Sequence, residues 1–145
     1  QVSKALINNN IPVILTPSHQ YPTSFEKRHA KDNLATRLVN AGVRIIISTG
    51  NSMQNIRRLR QEAGRAVTMG LEYGQAIKAI TLEPAKAFNK ASELGSVEVG
   101  KRANLILWSD DPLEIDSVIE NLWIDGEIQS LDTRQTKLAK KYMLR

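Results

Sequence analysis

GVRIIISTGN, residues 42–51, is the stretch on which the reading of this chain turns. Val43, Ile45, Ile46 and Ile47 make a short β-branched run with no wet side, the pattern of a parallel strand buried on both faces rather than of a strand with one face in water. Ser48-Thr49-Gly50-Asn51 then reads as the turn at the strand's C-terminal end. Working backward, residues 11–15 are a second short apolar run, with Pro12 tolerated near its start and Thr16-Pro17-Ser18 closing it. Between the two runs, Thr23 and Glu26 form a capping box, and Phe25, Ala30, Leu34, Leu38 and Ala41 recur at helical spacing until Gly42, which predicts a helix of roughly four or five turns. Residues 2–7 read as a helix end, stopped by Asn8, Asn9 and Asn10, which tolerate the left-handed conformation.

Working forward, a long helix is expected with Asn51 or Ser52 as its cap and Met53, Ile56, Leu59, Ala63 and Val67 on one face, ending at Gly70. A third is read from Tyr73, Ala76, Ile77 and Ile80, and Pro84 opens a short one to Phe88. Strand-helix-strand-helix at this spacing implies an α/β fold with parallel strands and right-handed crossovers. The grammar changes near Glu93. Gly95 and Gly100 are turn residues, residues 104–109 and 117–125 read as strands, and Asp125-Gly126 is the dipeptide of a two-residue hairpin returning through residues 127–129. Trp108 and Trp123 are expected in the core of this antiparallel unit, and from Thr133 a last amphipathic helix turns Leu131, Leu138 and Tyr142 inward.

Composition narrows the class. Hydrophobic residues at 41% and charged residues at 24% are those of a soluble, folded chain, and no apolar stretch is long enough to span a bilayer, so no membrane partner is expected. The net charge of +5 is concentrated in Arg57, Arg58, Arg60 and Arg65 and in Lys137, Lys140, Lys141 and Arg145. With only 5% aromatic residues and no groove-reading motif, these are read as solvated helix faces, and nucleic acid is not the expected partner. The absence of cysteine excludes a disulfide framework, a thiolate metal site and a cysteine nucleophile, and leaves cytoplasmic and exported origins both open. The chain starts at Gln1 without the pattern of a signal peptide, so its natural start is expected to be missing or removed.

Three segments taken in order carry a resemblance. LEYGQAIKAITLEPAKAF (71–88), LGSVEVGKRANLILWSDDPLE (94–114) and IENLWIDGE (119–127) resemble the C-terminal signature of the amidohydrolase superfamily, in particular its imidazolonepropionase-like and dipeptidase-like, metal-dependent hydrolase branch. There a run A-T-x-x-P-A-K, then G-S-x-x-x-G-K-x-A-x-L, a hydrophobic strand, D-P-L and a closing W-I-D-G recur with this order and spacing. The resemblance implies a (β/α)8 barrel with a small β-domain assembled from segments before and after it. Residues 11–15 then resemble barrel strand seven and residues 43–47 strand eight. A complete barrel needs about 250 residues, so the expectation is a C-terminal fragment: partial barrel over residues 1–92, small antiparallel β-unit over 93–130, C-terminal helix over 131–145.

The chemistry implied by the resemblance is hydrolysis of a carbon–nitrogen bond in a small amide, cyclic amide or short peptide derivative by a metal-activated water, with a divalent, zinc-like cation in the full-length protein. The family's histidines and its bridging lysine or glutamate would precede Gln1. Its strand-eight aspartate falls on Gly50, which has no carboxylate, and Asn51 offers only a neutral oxygen. No metal ligand and no certain catalytic residue are therefore expected in this chain. Candidate substrate contacts are His19, Ser48, Thr49 and Asn51, each weighed against a plainer loop, capping or turn duty. His29 is read as a surface residue within a helix, and Asn51 and Ser52 beside Arg57 and Arg58 as a weak anion site. The expected partners are the missing N-terminal barrel segment or further copies of the chain, with a small-molecule substrate bound only by the complete protein. The competing reading is a non-catalytic scaffold or assembly module derived from the amidohydrolase fold.

Overall fold

A computed structural model describes residues 2–20, 22, 24–50 and 53–143. Helix α1 (Val2–Asn8) ends where Asn10 takes a left-handed φ of 53°, and strand β1 (Val13–Leu15) follows. Helix α2 (Leu34–Asn40) stops at Gly42, whose φ is 82°, and leads into β2 (Ile45–Ile47). The two strands pair in parallel, Val13 with Ile45 and Leu15 with Ile47, as two apolar runs joined through a helix predict, though Ile14 of β1 is exposed. Every residue of β2 is buried, because the helices α3 (Leu59–Thr68), α4 (Tyr73–Ile80) and α5 (Leu82–Ala87) pack over it. The cluster at its heart joins Leu15, Ile45 and Ile47 to Ala63, Ala66, Leu71, Ala76 and Ala79. Alanines on the facing sides of α3 and α4 let the two backbones close on each other, so dispersion replaces side-chain bulk.

The helix expected over residues 23–41 is not continuous. A 3-10 turn at Phe25–Lys27 and turns through residues 28–33 precede α2. Lys31-Asp32-Asn33 favour turns over helix interior, and Phe25 is exposed, so burial does not offset that preference. The capping box proposed on Thr23 lies outside the described residues. His29 accordingly sits in a turn rather than a helix, and it is exposed, as a surface residue should be. The second long helix also begins late: Met53–Arg58 is a 3-10 segment and α3 proper starts at Leu59. Ile56 faces solvent, and the buried side of α3 is Glu62, Ala63 and Ala66, turned by about one residue from the expected stripe. The cap expected at Asn51 or Ser52 lies outside the described residues. Helix α4 is held by Glu72, whose carboxylate oxygens accept the amides of Gly74 and Gln75 at 2.8 and 2.9 Å. Helix α5 starts two residues before Pro84, which occupies the first turn, where its missing N–H costs nothing.

The antiparallel unit consists of β3 (Leu105–Trp108), β4 (Ile119–Ile124) and β5 (Glu127–Ile128) in that order. The hairpin turns on Asp125 and Gly126, both at positive φ (52° and 84°), as the sequence predicts. Arg102 grips Asp125 with two bonds of 2.7 and 2.8 Å, Asn104 accepts the Asp125 amide at 2.8 Å and the Ala103 carbonyl accepts that of Gly126 at 3.0 Å. This sheet is not a sealed core. Ile106, Leu107, Ile119, Ile124 and Ile128 are exposed, and Trp108 and Trp123 are only half-buried, contrary to expectation. Helix α6 (Arg134–Met143) is capped by reciprocal bonds between Thr133 and Thr136, but Leu131, Leu138 and Tyr142 point to solvent rather than inward. Nothing among the described residues covers that apolar face. No helix among the described residues is long and apolar enough to cross a membrane.

Candidate functional site

Parallel strands deliver their C-terminal ends to one side, so the turns after β1 and β2 are neighbours. The ladder runs one residue further, since the Ser48 amide donates to the Leu15 carbonyl at 2.8 Å. After β1, Pro17–His19 makes a tight 3-10 turn, closed by the His19 amide on the Thr16 carbonyl at 2.9 Å and the Gln20 amide on the Pro17 carbonyl at 3.2 Å. Pro17 is buried, and its ring anchors the turn while His19 remains exposed above it. After β2, the Gly50 amide donates to Ser48 Oγ at 3.3 Å and Gly50 takes a φ of 77°. A Cβ at position 50 would stand 3.3 Å from His19 Cε1, 3.8 Å from His19 Nδ1 and 3.7 Å from Thr16 Oγ1. The imidazole thus lies against the bare face of Gly50.

Of the residues singled out from sequence, His19, Ser48 and Gly50 share this rim, and Thr49 sits between the last two, half-buried. Asn51 and Ser52 lie outside the described residues, and with them the anion site suggested there. His29 is not part of the rim; its Nε2 accepts from Arg28 Nε at 3.1 Å in its own turn. Two participants went unnoticed in the sequence. Thr16 supplies a hydroxyl to the rim. Glu62, buried on α3, accepts the Ser18 amide at 2.8 Å through Oε2 and so holds the His19 turn from beneath. An acidic residue in an amphipathic helix looks like a solvated one; the available signal was its place in Glu62-Ala63-Gly64, where small neighbours announce a closely packed face.

What the rim can do chemically follows from its groups. The imidazole can accept or donate a proton, and the hydroxyls of Thr16 and Ser48 can donate or accept hydrogen bonds. A divalent metal does not fit these residues, because one imidazole and the neutral hydroxyls of Thr16, Ser48 and Thr49 fall short of the three or four nitrogen, sulfur or carboxylate ligands a zinc-like ion takes. Among the described residues, no three His, Asp or Glu side chains converge.

The model of the amidohydrolase family matches residues 2–131. The chain belongs to the amidohydrolase family. Similarity to individual amidohydrolases is partial in length. The chain is 29% identical over 92 residues to amidohydrolase tasK of Hapsidospora irregularis, covering 63% of this chain and 9% of that protein. It is 35% identical over 78 residues to an imidazolonepropionase of a Geobacillus strain, covering 51% of this chain and 18% of that protein. Among solved structures, an amidohydrolase from Thermotoga maritima superposes with a TM-score of 0.78 at 28% identity, over 92% of this chain and 34% of that one. The chain therefore spans about a third or less of the amidohydrolases it resembles. Its α/β portion and small antiparallel sheet have the amidohydrolase fold.

Proposed function

We propose that this chain is the C-terminal part of a metal-dependent amidohydrolase that hydrolyses a carbon–nitrogen bond in a small amide, cyclic amide or short peptide derivative, and that it is catalytically incomplete alone. In this reading β1 and β2 are barrel strands seven and eight, residues 1–92 are barrel, 93–130 belong to the small β-domain and 131–145 are the C-terminal segment that carries α6. The divalent ion and its ligands belong to barrel strands outside this chain. His19, Thr16, Ser48 and Thr49 line the rim toward the substrate, with His19 the group able to polarise a carbonyl or exchange a proton, and Asn51, which follows Gly50 in sequence, is a further candidate contact. Family membership and the convergence of two strand ends on one rim support this reading.

The observation that carries the incompleteness of this chain is Gly50. A complete site at this rim would need a base and several ligands, and where strand eight would present a carboxylate the chain presents a bare α-carbon facing His19. The same observation favours a second reading, a non-catalytic scaffold that has kept the amidohydrolase fold. Co-expression with the remaining barrel strands of an imidazolonepropionase-like relative, assayed on amide, cyclic imide and dipeptide substrates with zinc or manganese, decides between them. Activity in the reassembled protein that falls at least tenfold in His19→Ala supports the enzyme; a folded, metal-loaded assembly inert with all three substrate classes and in Gly50→Asp supports the scaffold.

A further inference from the structure

Glu62 is the one acidic side chain of α3, and burying it there needs a reason, since a carboxyl group taken out of water costs more than an apolar residue of its size. It does not cap its own helix. Its Oε2 instead reaches the backbone amide of Ser18 at 2.8 Å, in the middle of the three-residue turn that carries His19. That turn is otherwise secured at its two ends, by Pro17 in the core and by the His19 and Gln20 amides on the carbonyls of Thr16 and Pro17. The Ser18 amide is the donor such a turn leaves unpaired. On the far side of the imidazole is Gly50, whose missing side chain leaves the ring room to lie 3.3 Å from where a Cβ would stand.

We propose that Glu62 is a positioning residue for His19, fixing the turn after β1 so that the imidazole is held across the end of β2 in the space vacated at position 50. Glu62 touches no substrate. Its carboxyl group pins Ser18 and Ser18 sets the path of His19, so that the imidazole leaves the backbone where it can lie against Gly50. The inference deepens the proposed function, on which the catalytic meaning of His19 rests, but the geometry is read without any turnover.

The test is nuclear magnetic resonance on the intact protein carrying this sequence, with histidine labelled at 13Cε1 and the His19 signal assigned by His19→Ala. The unmodified protein is expected to show a cross-peak between the His19 Cε1 proton and the Gly50 α-protons, and slow exchange of the Ser18 amide. Glu62→Gln, which keeps an oxygen acceptor, is expected to retain both. Glu62→Met, of similar volume without an acceptor, is expected to lose the cross-peak and to speed Ser18 exchange at least tenfold, while contacts between Val13 and Ile45 report that the strands still pair. Glu62→Asp draws the acceptor back by one methylene and should weaken the cross-peak at least threefold, which serves if the methionine variant does not fold. An undiminished cross-peak in either folded variant, or its loss in Glu62→Gln, overturns the proposal. Absence of hydrolysis in the assembled protein would leave this result untouched and would count only against the enzymatic reading.

Discussion

A methyl group on Gly95 would stand 2.7 Å from the Cβ of Ala85 and 3.0 Å from both the Leu82 Cα and the Thr81 carbonyl oxygen, with φ at +94°. Backbone cannot yield as a flexible side chain does, and a left-handed alanine adds its own strain. Gly95→Ala is expected to cost about 3 kcal/mol, summing left-handed strain and overpacking, read from the midpoint of urea unfolding. Gly50 is the instructive contrast. Its φ is also left-handed, but the neighbour is the edge of an exposed imidazole, which can rotate away. Gly50→Ala should cost only about 1 kcal/mol, essentially the backbone term, while moving the His19 ring. Both glycines were visible as turn residues in the sequence. That one abuts a helix backbone and the other a histidine was not, because each close approach joins segments that are distant along the chain.

At the scale of elements, the chain is laced together by arginines. Arg60 of α3 donates through Nη1 to the carbonyls of Pro112 (3.2 Å), Glu114 (2.8 Å) and Ser117 (3.1 Å) and through Nη2 to that of Ile115 (3.2 Å), with its guanidinium 4.7 Å from the centre of the Trp108 ring. This side chain, expected as part of a solvated basic face, is the joint between α3 and the loop that connects β3 to β4. Arg60→Met keeps the stem and loses the fork; a destabilisation of about 2–3 kcal/mol is expected by thermal unfolding, with Arg60→Lys recovering less than half. The strands, the hairpin and α4 were legible because each rests on local signals: an apolar run, a turn dipeptide, a helical stripe. The extent of α2 and α3 was not, because helix propensity alone does not hold residues such as Phe25 and Ile56 whose side chains stay in water. The rim was half legible for the same reason. His19 and Gly50 follow strand ends and could be placed, whereas the contribution of Glu62 depends on which way α3 is turned.

Across the base of the strands, Arg44 links three elements, donating to Glu83 Oε2 at 2.6 Å and to Asn10 Oδ1 at 2.9 Å, and Lys86 reaches Glu83 Oε1 at 2.7 Å. Burial works to raise the Glu83 pKa, but hydrogen bonds from Lys86 and Arg44, with their charges, outweigh it and hold this carboxyl below its usual value of 4.5. A carboxyl lowered in the folded state contributes stability that is fully present above its unfolded pKa and is lost as pH falls through the folded one. Stability should therefore decline on acidification below about pH 4.5, and Glu83→Gln should flatten that decline; an unchanged acid limb in the variant would remove Glu83 from the account. At neutral pH the molecule faces a different demand. Ile14 on β1 is 65% exposed beside an unpaired strand edge, and apolar residues of the small sheet are exposed as well. The 145-residue chain is expected to self-associate in sedimentation experiments and to become monodisperse when the remaining barrel strands are supplied in trans. A stable monomer with one sharp unfolding transition would contradict that.

The two sheets also differ in how far the chain must travel to make them. Strands β4 and β5 meet across two residues, with Arg102 gripping Asp125 at their turn, and β3 joins β4 through residues 109–118, which Arg60 clamps, so this sheet can form on the microsecond scale typical of hairpins. Val13 finds Ile45 only after all the intervening chain has been gathered and α2 laid against the pair, a closure whose entropy is spent before any contact returns it. The sheet that lies later in this sequence is thus the one able to order first. Refolding followed by the fluorescence of Trp108 and Trp123, both in the small sheet, should run ahead of the protection of the Ile45–Ile47 amides from hydrogen exchange, leaving an interval in which the hairpin is formed and the strands beneath the rim are not.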